Sequence, residues 1–392
     1  MRAVQALEFL GSAHEVTLLA PRGGEAPPPL APGLRLETYE PPGRLAQALG
    51  LLGALFSGRP LQSGLFASRD LSRKLRSLVP LHDRVVLQLE RLIGHLPDLG
   101  PSSERVPLVV DLIDSLALNI SRRADFDSPL LRPALRFEAA RLLQAERRLA
   151  ARAAKVLVVS KRDRRYLEER LGLEWTVNVE VVPLAMPVPE DLPPTLKLWK
   201  KPAQEPGFEV AERGGRPTLA ITGNLGYFPT RDGAFWFLSQ VWPAVRAARP
   251  EVRLKIAGSR PSEALRAAIS QAGAELIDSP PDLRADLAQA TIALAPMRAG
   301  SGLPVKILEA WSVGVPVVAT PWAAAGVAGR AGEDLAVAEP EPVAWCREIL
   351  RLLDAPPERR RLAENGRRRL AAEYGAESVA ARWRAAIESR SG

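Results

Sequence analysis

The chain has 392 residues, 46% of them hydrophobic and 25% charged, with a formal net charge of +8 and a pI near 10.0. That length is a prior for two ordinary domains, each able to bury its own core, and the composition excludes a disordered or fibrous chain. A single cysteine, Cys346, leaves no disulfide framework, thiolate metal cluster or redox pair.

No apolar run reaches the roughly 18 residues that a membrane helix needs, and the opening residues lack the order of a signal peptide. Cytoplasmic residence is therefore expected, either free or peripheral at the inner face of a membrane. The positive surplus, mostly arginine, suits nucleic acid, an anionic leaflet or a phosphorylated substrate equally.

In chain order, Arg2 to Ala13 reads as a helix and His14 to Ala20 as a strand ended by Pro21. A Rossmann domain normally opens with a strand, a glycine-rich turn and then a helix. Here the helix comes first. The expectation is that a first strand is missing, through a start codon assigned too far downstream or a truncated gene.

Leu34 to Tyr39 is the next strand, after the proline-rich loop Pro27-Pro28-Pro29. Residues 44–56 and 68–79 read as helices, with a break at Arg59-Pro60. Their apolar faces lie beside Arg69, Arg73, Lys74 and Arg76, which suits an acceptor or membrane-facing surface as well as an ordinary solvated helix face.

Arg84 to Leu89 and Leu108 to Leu112 are further strands. Leu130 to Ala154 is a long amphipathic helix in which Glu138, Arg141, Glu146 and Arg147 are expected to form a solvated charge lattice. Lys155 to Ser160 and Val179 to Pro183 complete a first domain, and residues 183–216, rich in proline and lysine, read as a linker. From Thr218 onward, strands at 218–222, 252–257, 274–277, 291–296, 316–319 and 334–338 alternate with helices, which predicts a parallel doubly wound sheet. Residues 341–354 and 358–388 read as helical.

The most informative stretch is Pro296 to Thr320, PMRAGSGLPVKILEAWSVGVPVVAT. Gly300-Ser301-Gly302 is a turn whose bare backbone can approach a bound group, and Leu303 to Val313 reads as a helix stopped by Gly314. Val305, Ile307, Leu308, Ala310 and Trp311 make that helix apolar on most sides, as in a layered α/β domain. Only Lys306 and Glu309 break the pattern, three residues apart and hence on one face. Charges on such an element need a partner or a ligand. They can simply pair with each other, but a Gly-x-Gly turn opening a helix also offers the amides and dipole that bind phosphate.

Gly300 to Ala310 followed by Gly314 to Thr320 resembles the donor-site signature of the retaining glycosyltransferases of family 4. Ile221-Thr222-Gly223-Asn224-Leu225-Gly226-Tyr227-Phe228-Pro229-Thr230-Arg231-Asp232 is similar to the opening of the donor domain in bacterial polysaccharide-type members. Val109 to Asp114, with Ser160 closing a later strand, is a third and weaker match.

The resemblance implies an α/β chain of two Rossmann-like domains facing across a cleft, the GT-B architecture, with a C-terminal helix that crosses back to the first domain through Val379, Trp383, Ala386 and Ile387. The domains implied are 1–187 on the acceptor side, a linker at 188–213, a donor-binding domain at 214–370 and the crossing helix at 371–392.

The same resemblance implies a hexosyl transfer from a nucleotide-sugar donor to a glycan or lipid-linked acceptor hydroxyl, retaining and metal-independent, with possible contact to an anionic membrane. The nucleotide-sugar is a substrate, so no cofactor is expected. The amides around Gly302 and Leu303 would face the diphosphate, and Lys306 would stabilise the leaving nucleotide diphosphate. Glu309 corresponds to the second glutamate of the family's Glu-x7-Glu motif, which holds ribose hydroxyls, whereas Ser301 replaces the first. Gly223 and Gly226 would form the turn nearest the scissile bond, Asn224 stands where many relatives have arginine, and Arg231 is a candidate to replace that charge.

Gly258 and Arg260 follow a strand at its carboxyl end, where α/β sheets bind ligands, with Arg260 a phosphate candidate. Asp114 lies where relatives keep a polar catalytic residue, and Asp111 within the strand reads as structural. His14, His82 and His95 have no ligand spacing, each reads as a lone strand-edge histidine, and no metal is expected.

Rival readings are a GT-B-fold sugar-nucleotide epimerase, for which histidine is poorly supplied, and a non-catalytic or truncated sugar-nucleotide-binding protein. A dehydrogenase lacks Gly-x-Gly-x-x-Gly after a first strand. A nucleic-acid binder lacks interleaved aromatics.

Overall fold

A computed structural model describes residues 2–23, 33–99, 106–187 and 216–388. The expected loop at Pro27 to Pro29 and the linker at 188–213 lie outside the described residues. The chain divides into two compact units, Met1–Leu184 with Val379–Gly392, and Ala185–Ser378.

The first unit opens on α1 (Arg2–Gly11), then β1 (Val16–Pro21) and β2 (Leu34–Tyr39), which pair in parallel. There follow α2 (Arg44–Ser57), α3 (Leu61–Leu65), α4 (Arg69–Leu78), β3 (Val85–Gln88), a 3-10 helix over Glu90–Leu99, and β4 (Leu108–Ile113). Next come α5 (Leu116–Phe126), α6 (Arg132–Arg152), β5 (Lys155–Val158), α7 (Lys161–Leu171), the short α8 (Leu173–Thr176) and β6 (Val179–Val181). Strands β3 to β6 form a parallel sheet in sequence order, separate from the β1 and β2 pair.

The continuous apolar run of β4 is buried from Leu108 to Leu112, as an interior parallel strand requires. Ser68, Ser115 and Ser160 start α4, α5 and α7 by accepting the backbone N–H groups of Leu71, Leu118 and Asp163.

The second unit contains β7 (Thr218–Asn224), α9 (Phe228–Trp236), α10 (Trp242–Ala248), β8 (Arg253–Ser259), α11 (Glu263–Gln271), β9 (Glu275–Asp278), α12 (Leu283–Leu287), β10 (Ile292–Ala295) and α13 (Val305–Ser312). It continues with β11 (Val317–Ala319), α14 (Pro321–Ala324), β12 (Ala336–Val337), α15 (Pro342–Leu353) and α16 (Pro356–Tyr374), and α17 (Ala376–Glu388) ends the described chain.

Its six strands lie in the order β12-β11-β10-β7-β8-β9, all parallel, so the expected doubly wound sheet is present. One face is sealed by Trp345, whose ring meets Trp236 and Phe237 edge to face at 5.4 and 6.1 Å.

Four local expectations differ from the structure. The single helix at 358–388 is two helices, broken at Gly375, where the backbone turns extended. The charge lattice on α6 is not solvated, because Arg141 and Glu146 are buried. Arg141 donates to the carbonyls of Ala54 and Leu55, while Glu146 accepts from the hydroxyl of Ser115 and the N–H of Ala117. His95 is buried in the 3-10 helix, against Ser72 and the carbonyl of Phe66, and not at a strand edge. His82 likewise follows a turn, bridging Leu78 O and the hydroxyl of Thr17.

Asp111 is the polar exception inside β4. Its fully buried carboxylate takes both Nε and Nη2 of Arg2, at 2.8 and 2.7 Å, and the amide of Gln88 at 3.1 Å. Arg2 also donates to the carbonyls of Val182 and Pro183 and lies 5.0 Å over the ring of Trp383. One guanidinium thus ties α1, β4, the segment after β6 and α17. Removing it in Arg2→Met leaves a buried uncompensated carboxylate, so the first unit should lose about 3–5 kcal/mol, read as a lowered denaturant midpoint with unchanged far-UV circular dichroism at low denaturant. Unaltered stability of the variant would show that the network contributes nothing net.

Candidate functional site

In the second unit the strand order reverses between β7 and β10, which leaves a crevice outside their carboxyl ends. Three chain segments meet at this edge of the sheet. Strand β7 ends in Gly223-Asn224, β8 runs through Gly258 to Ser259 and on to Arg260, and β10 leads through residues 296–304 into α13.

Asn224 accepts the N–H of Gly226 through Oδ1 at 3.0 Å, a side-chain turn that carries the chain from β7 towards α9. Gly226 is dictated by crowding, since a Cβ there would lie 3.0 Å from Cβ and 3.1 Å from the carbonyl oxygen of Arg260. Gly300 has φ of 102° and would place a Cβ 2.9 Å from Pro229 Cγ, so both conformation and space require glycine. Its carbonyl accepts the indole N–H of Trp322 at 3.0 Å, which pins the turn. Ser301 and Gly302 are buried in it, and Leu303 is half-buried.

Lys306 and Glu309 stand on α13 beside this turn. The lysine is only 9% exposed, its Nζ donates to the hydroxyl of Thr230 at 3.1 Å, and its terminal atoms are 3.5 Å from where a Cβ on Gly223 would stand. Burial pushes the ammonium down to about 8, with the Glu309 charge pulling the other way.

Burial raises the Glu309 carboxyl, Lys306 and then Arg284 draw it back, and Asp282 adds to the rise. Among the described residues no ion pair joins Lys306 to Glu309, and Arg284 is engaged by Asp282 at 2.8 Å. A buried ammonium with one neutral partner, beside a largely buried carboxylate, is incompletely satisfied. A ligand that brings both negative charge and hydroxyls would complete both groups.

Arg231, in the first turn of α9, and exposed Arg260 make no ion pair among the described residues, whereas Arg298 is held by Asp232 at 2.7 Å. Gly223, Asn224, Gly226, Gly258, Arg260, Gly300, Ser301, Gly302, Leu303, Lys306 and Glu309 therefore gather at one sheet edge, with Arg231 near it. Thr230 and Trp322 were not singled out by sequence reasoning. Each acts through a contact 76 or 22 residues away, which no local pattern announces.

In the first unit the carboxyl ends of β3, β4 and β5 carry a second polar group. Asp114 follows Ile113, a non-glycine residue at φ of 67°, and Glu90 follows Leu89 at φ of 71°. Glu90 is buried and its two carboxyl oxygens accept no hydrogen bond from another side chain. Burial, then the charges of Glu146 and Asp114, hold it well above the ordinary carboxylate range.

Burial also pushes Glu146 up to about 8, against the hydrogen bonds from Ala117 and Ser115. Asp163 closes the group by accepting the N–H of Ser115 and the hydroxyl of Ser160. With Glu146 pushed up to about 8 and Glu90 raised by the same burial, these two carboxyls are suited to donate as well as accept hydrogen bonds. Sequence reasoning found Asp114 but missed Glu90, and placed Glu146 in solvent.

Among the described residues no group of three or more His, Cys, Asp or Glu is placed to hold a metal ion, and no helix is long and apolar enough to cross a membrane.

Residues 216–355 match the family described as Glycosyl transferases group 1. The chain is 33% identical over 140 residues to an uncharacterized 44.6 kDa protein in the cps region of Klebsiella pneumoniae, a match that spans 34% of this chain and 36% of that relative's length.

Among solved structures, sucrose-phosphate synthase from Thermosynechococcus elongatus is similar with a TM-score of 0.67 at 16% identity, covering 97% of this chain and 90% of that one. HepE of Anabaena, in complex with UDP, is similar with a TM-score of 0.60 at 16% identity, covering 91% and 87%. The α,α-trehalose 6-phosphate synthase of Burkholderia multivorans is similar at 0.63 and 13% identity, covering 99% and 94%. The fold is accordingly GT-B, two Rossmann-like units, and residues 216–355 carry a glycosyl transferases group 1 domain.

Proposed function

We propose that the chain is a retaining, metal-independent glycosyltransferase of family 4 that moves a hexosyl group from a nucleotide-sugar to a hydroxyl of a glycan or lipid-linked acceptor. The observation that carries this reading is the buried, underpartnered pair Lys306 and Glu309 at the switch point of the second unit's sheet. The domain match over residues 216–355 and the likeness to a HepE structure with UDP-glucose support it. Polysaccharide biosynthesis at the inner face of the membrane is the setting proposed, in keeping with the relative from a cps region.

In this reading the diphosphate lies against the turn Gly300 to Leu303, with Lys306 neutralising the charge that grows as the nucleotide leaves. Glu309 accepts hydrogen bonds from ribose hydroxyls, and Arg231 and Arg260 supply further positive charge from the rim. The bond from the anomeric carbon to the phosphate oxygen breaks, and the acceptor oxygen bonds to that carbon on the same face. The acceptor proton passes to the departing phosphate, so no protein nucleophile is needed. Asp114 is proposed as the polar residue on the acceptor side. No cofactor enters the reaction.

UDP is the probe for this site. Lys306→Ala or Glu309→Ala should each weaken UDP binding by about 1.5–3 kcal/mol in calorimetry, the range of a hydrogen bond to a charged group. Unchanged affinity in folded variants would remove the assignment. A fragment of residues 216–378, which holds the whole six-stranded sheet, is expected to fold alone and bind UDP, and a soluble, folded fragment that binds no nucleoside diphosphate would contradict that.

The pH dependence follows from linkage. Lys306 ionises at about 8 in the free protein, and a bound diphosphate raises that value by favouring the charged form. Affinity for UDP should therefore be unaffected by this group below about 8 and fall as the pH rises above it, with proton uptake on binding. Calorimetry in buffers of different ionisation enthalpy reads that uptake directly. It should vanish in Lys306→Ala.

A further inference from the structure

Helix α2 is exposed along most of its length and fully buries Ala54 alone. Leu45, Leu49, Leu52 and Phe56 recur at spacings of four, three and four, which puts them on one face, and all are exposed, Phe56 by 86%. On the opposite side Ala54 is fully buried and Gly50 abuts the backbone of Gly64 in α3. The exposed row Leu45, Leu49, Leu52 and Phe56 is an apolar strip of the kind that marks an interaction site. From Pro41 to Arg69 the chain carries three arginines, Arg44, Arg59 and Arg69, and no acidic residue.

Where α2 ends, at Gly58, a cavity of about 240 Å³ opens, lined by Arg59, by Ile93 and Leu96 of the 3-10 helix, and by Arg141 and Arg148 of α6. Arg141 and Arg148 are seven residues apart and share a helix face. Arg141 is 6% exposed. Its Nη2 donates to the last carbonyls of α2, its Nε meets no acceptor, and its Nη1 stands 3.8 Å from Glu138, a carboxylate committed to the N–H of Leu61 at 2.7 Å. Arg59 and Arg148 have no carboxylate partner among the described residues, and Arg59 donates only to the hydroxyl of Ser57. Three arginines thus line a half-open cavity, among Pro60, Ile93 and Leu96, with one carboxylate beside them and an exposed apolar strip ending two residues before Gly58.

We propose that this cavity receives the phosphate or diphosphate head of an amphiphile whose apolar chain lies along the Leu45 to Phe56 face of α2. A free anion would use the arginines but not the strip, and an uncharged lipid would use the strip but not the arginines. Both features adjoin at Gly58, which favours a molecule carrying both. The inference rests on the reading of the chain as a glycosyltransferase only in casting this molecule as the acceptor, and makes the lipid-linked class the one served.

The experiment uses the full chain and farnesyl diphosphate below its critical micelle concentration, with inorganic diphosphate and UDP as comparators, followed by calorimetry. Farnesyl diphosphate should bind at least about tenfold more tightly than inorganic diphosphate. The pair Arg59→Gln with Arg148→Gln should weaken it about tenfold or more, and the pair Leu49→Gln with Phe56→Gln should reduce it to the level of inorganic diphosphate. These are solvent-accessible positions, and far-UV circular dichroism and the denaturant midpoint of the first unit should match the parent chain in both variants as a control on folding. Lys306→Ala should leave farnesyl diphosphate binding intact while weakening UDP; unchanged UDP affinity with retained farnesyl diphosphate binding would overturn the donor-site reading and leave this one standing, whereas loss of farnesyl diphosphate binding in Lys306→Ala would overturn this one.

Equal affinity for inorganic and farnesyl diphosphate, displacement of farnesyl diphosphate by UDP, or indifference to both double variants would overturn the proposal. A halved solution mass in Leu49→Gln with Phe56→Gln, with lipid binding retained, would assign the strip to self-association instead.

Discussion

The burial of Lys306 is the constraint around which the second unit is arranged. An ammonium held by one threonine hydroxyl inside a low-dielectric layer is unfavourable, and its lowered proton affinity is the direct sign of that. The unit tolerates it because α13 is otherwise apolar and well packed, with Ile307, Leu308, Ala310 and Trp311 all buried. Local dissatisfaction surrounded by a consistent core is the usual mark of a site shaped for something else to complete. The neighbouring turn is overdetermined in the opposite sense: Gly300 is required by its φ and by Pro229, and is anchored by Trp322.

The doubly wound topology decides where that constraint can act. Parallel strands point all their carboxyl ends to one edge, and the reversal between β7 and β10 parts the connecting segments there. Residues from 223 to 309, distant in the chain, therefore reach one crevice without any long loop. The same rule places Glu90, Asp114 and Ser160 at the carboxyl edge of the first unit's sheet. There the outcome is a cluster of carboxyls in which burial raises Glu90 and Glu146, where the second unit has an exposed cation beside a buried one.

The first unit depends on a different device. Asp111 and Arg2 form a fully buried ion pair whose remaining hydrogen-bonding positions are filled by Gln88, Val182 and Pro183. A pair of this kind is tolerable only when every donor and acceptor is matched, and it fixes α1 against β4 with little freedom. Strands β1 and β2, by contrast, form a sheet of their own and are only partly buried apart from Tyr39.

The sequence by itself determined the alternation of strands and helices, the parallel doubly wound sheet from Thr218 onward, and the glycine-rich turn before a helix with two isolated charges. Each of these is local: hydrophobic period, turn chemistry and helix stops act over a few residues. The structural role of Asp111 was also legible, since a carboxylate inside an apolar strand must be paired, although its partner Arg2 lies 109 residues away and was not.

Tertiary structure alone decided the rest. Glu146 and Arg141 sit on a helix whose periodicity leaves them polar, and only packing against α5 and α2 turns them inward. For α2 the pattern leaves an outward surface and an ordinary helix face equally open, and the close approach of Gly50 to Gly64 sets which side meets α3 and leaves Leu45 to Phe56 exposed. A helical period says which residues share a face. Which face is buried depends on what the neighbouring elements bring to it, and that information is not local to the helix.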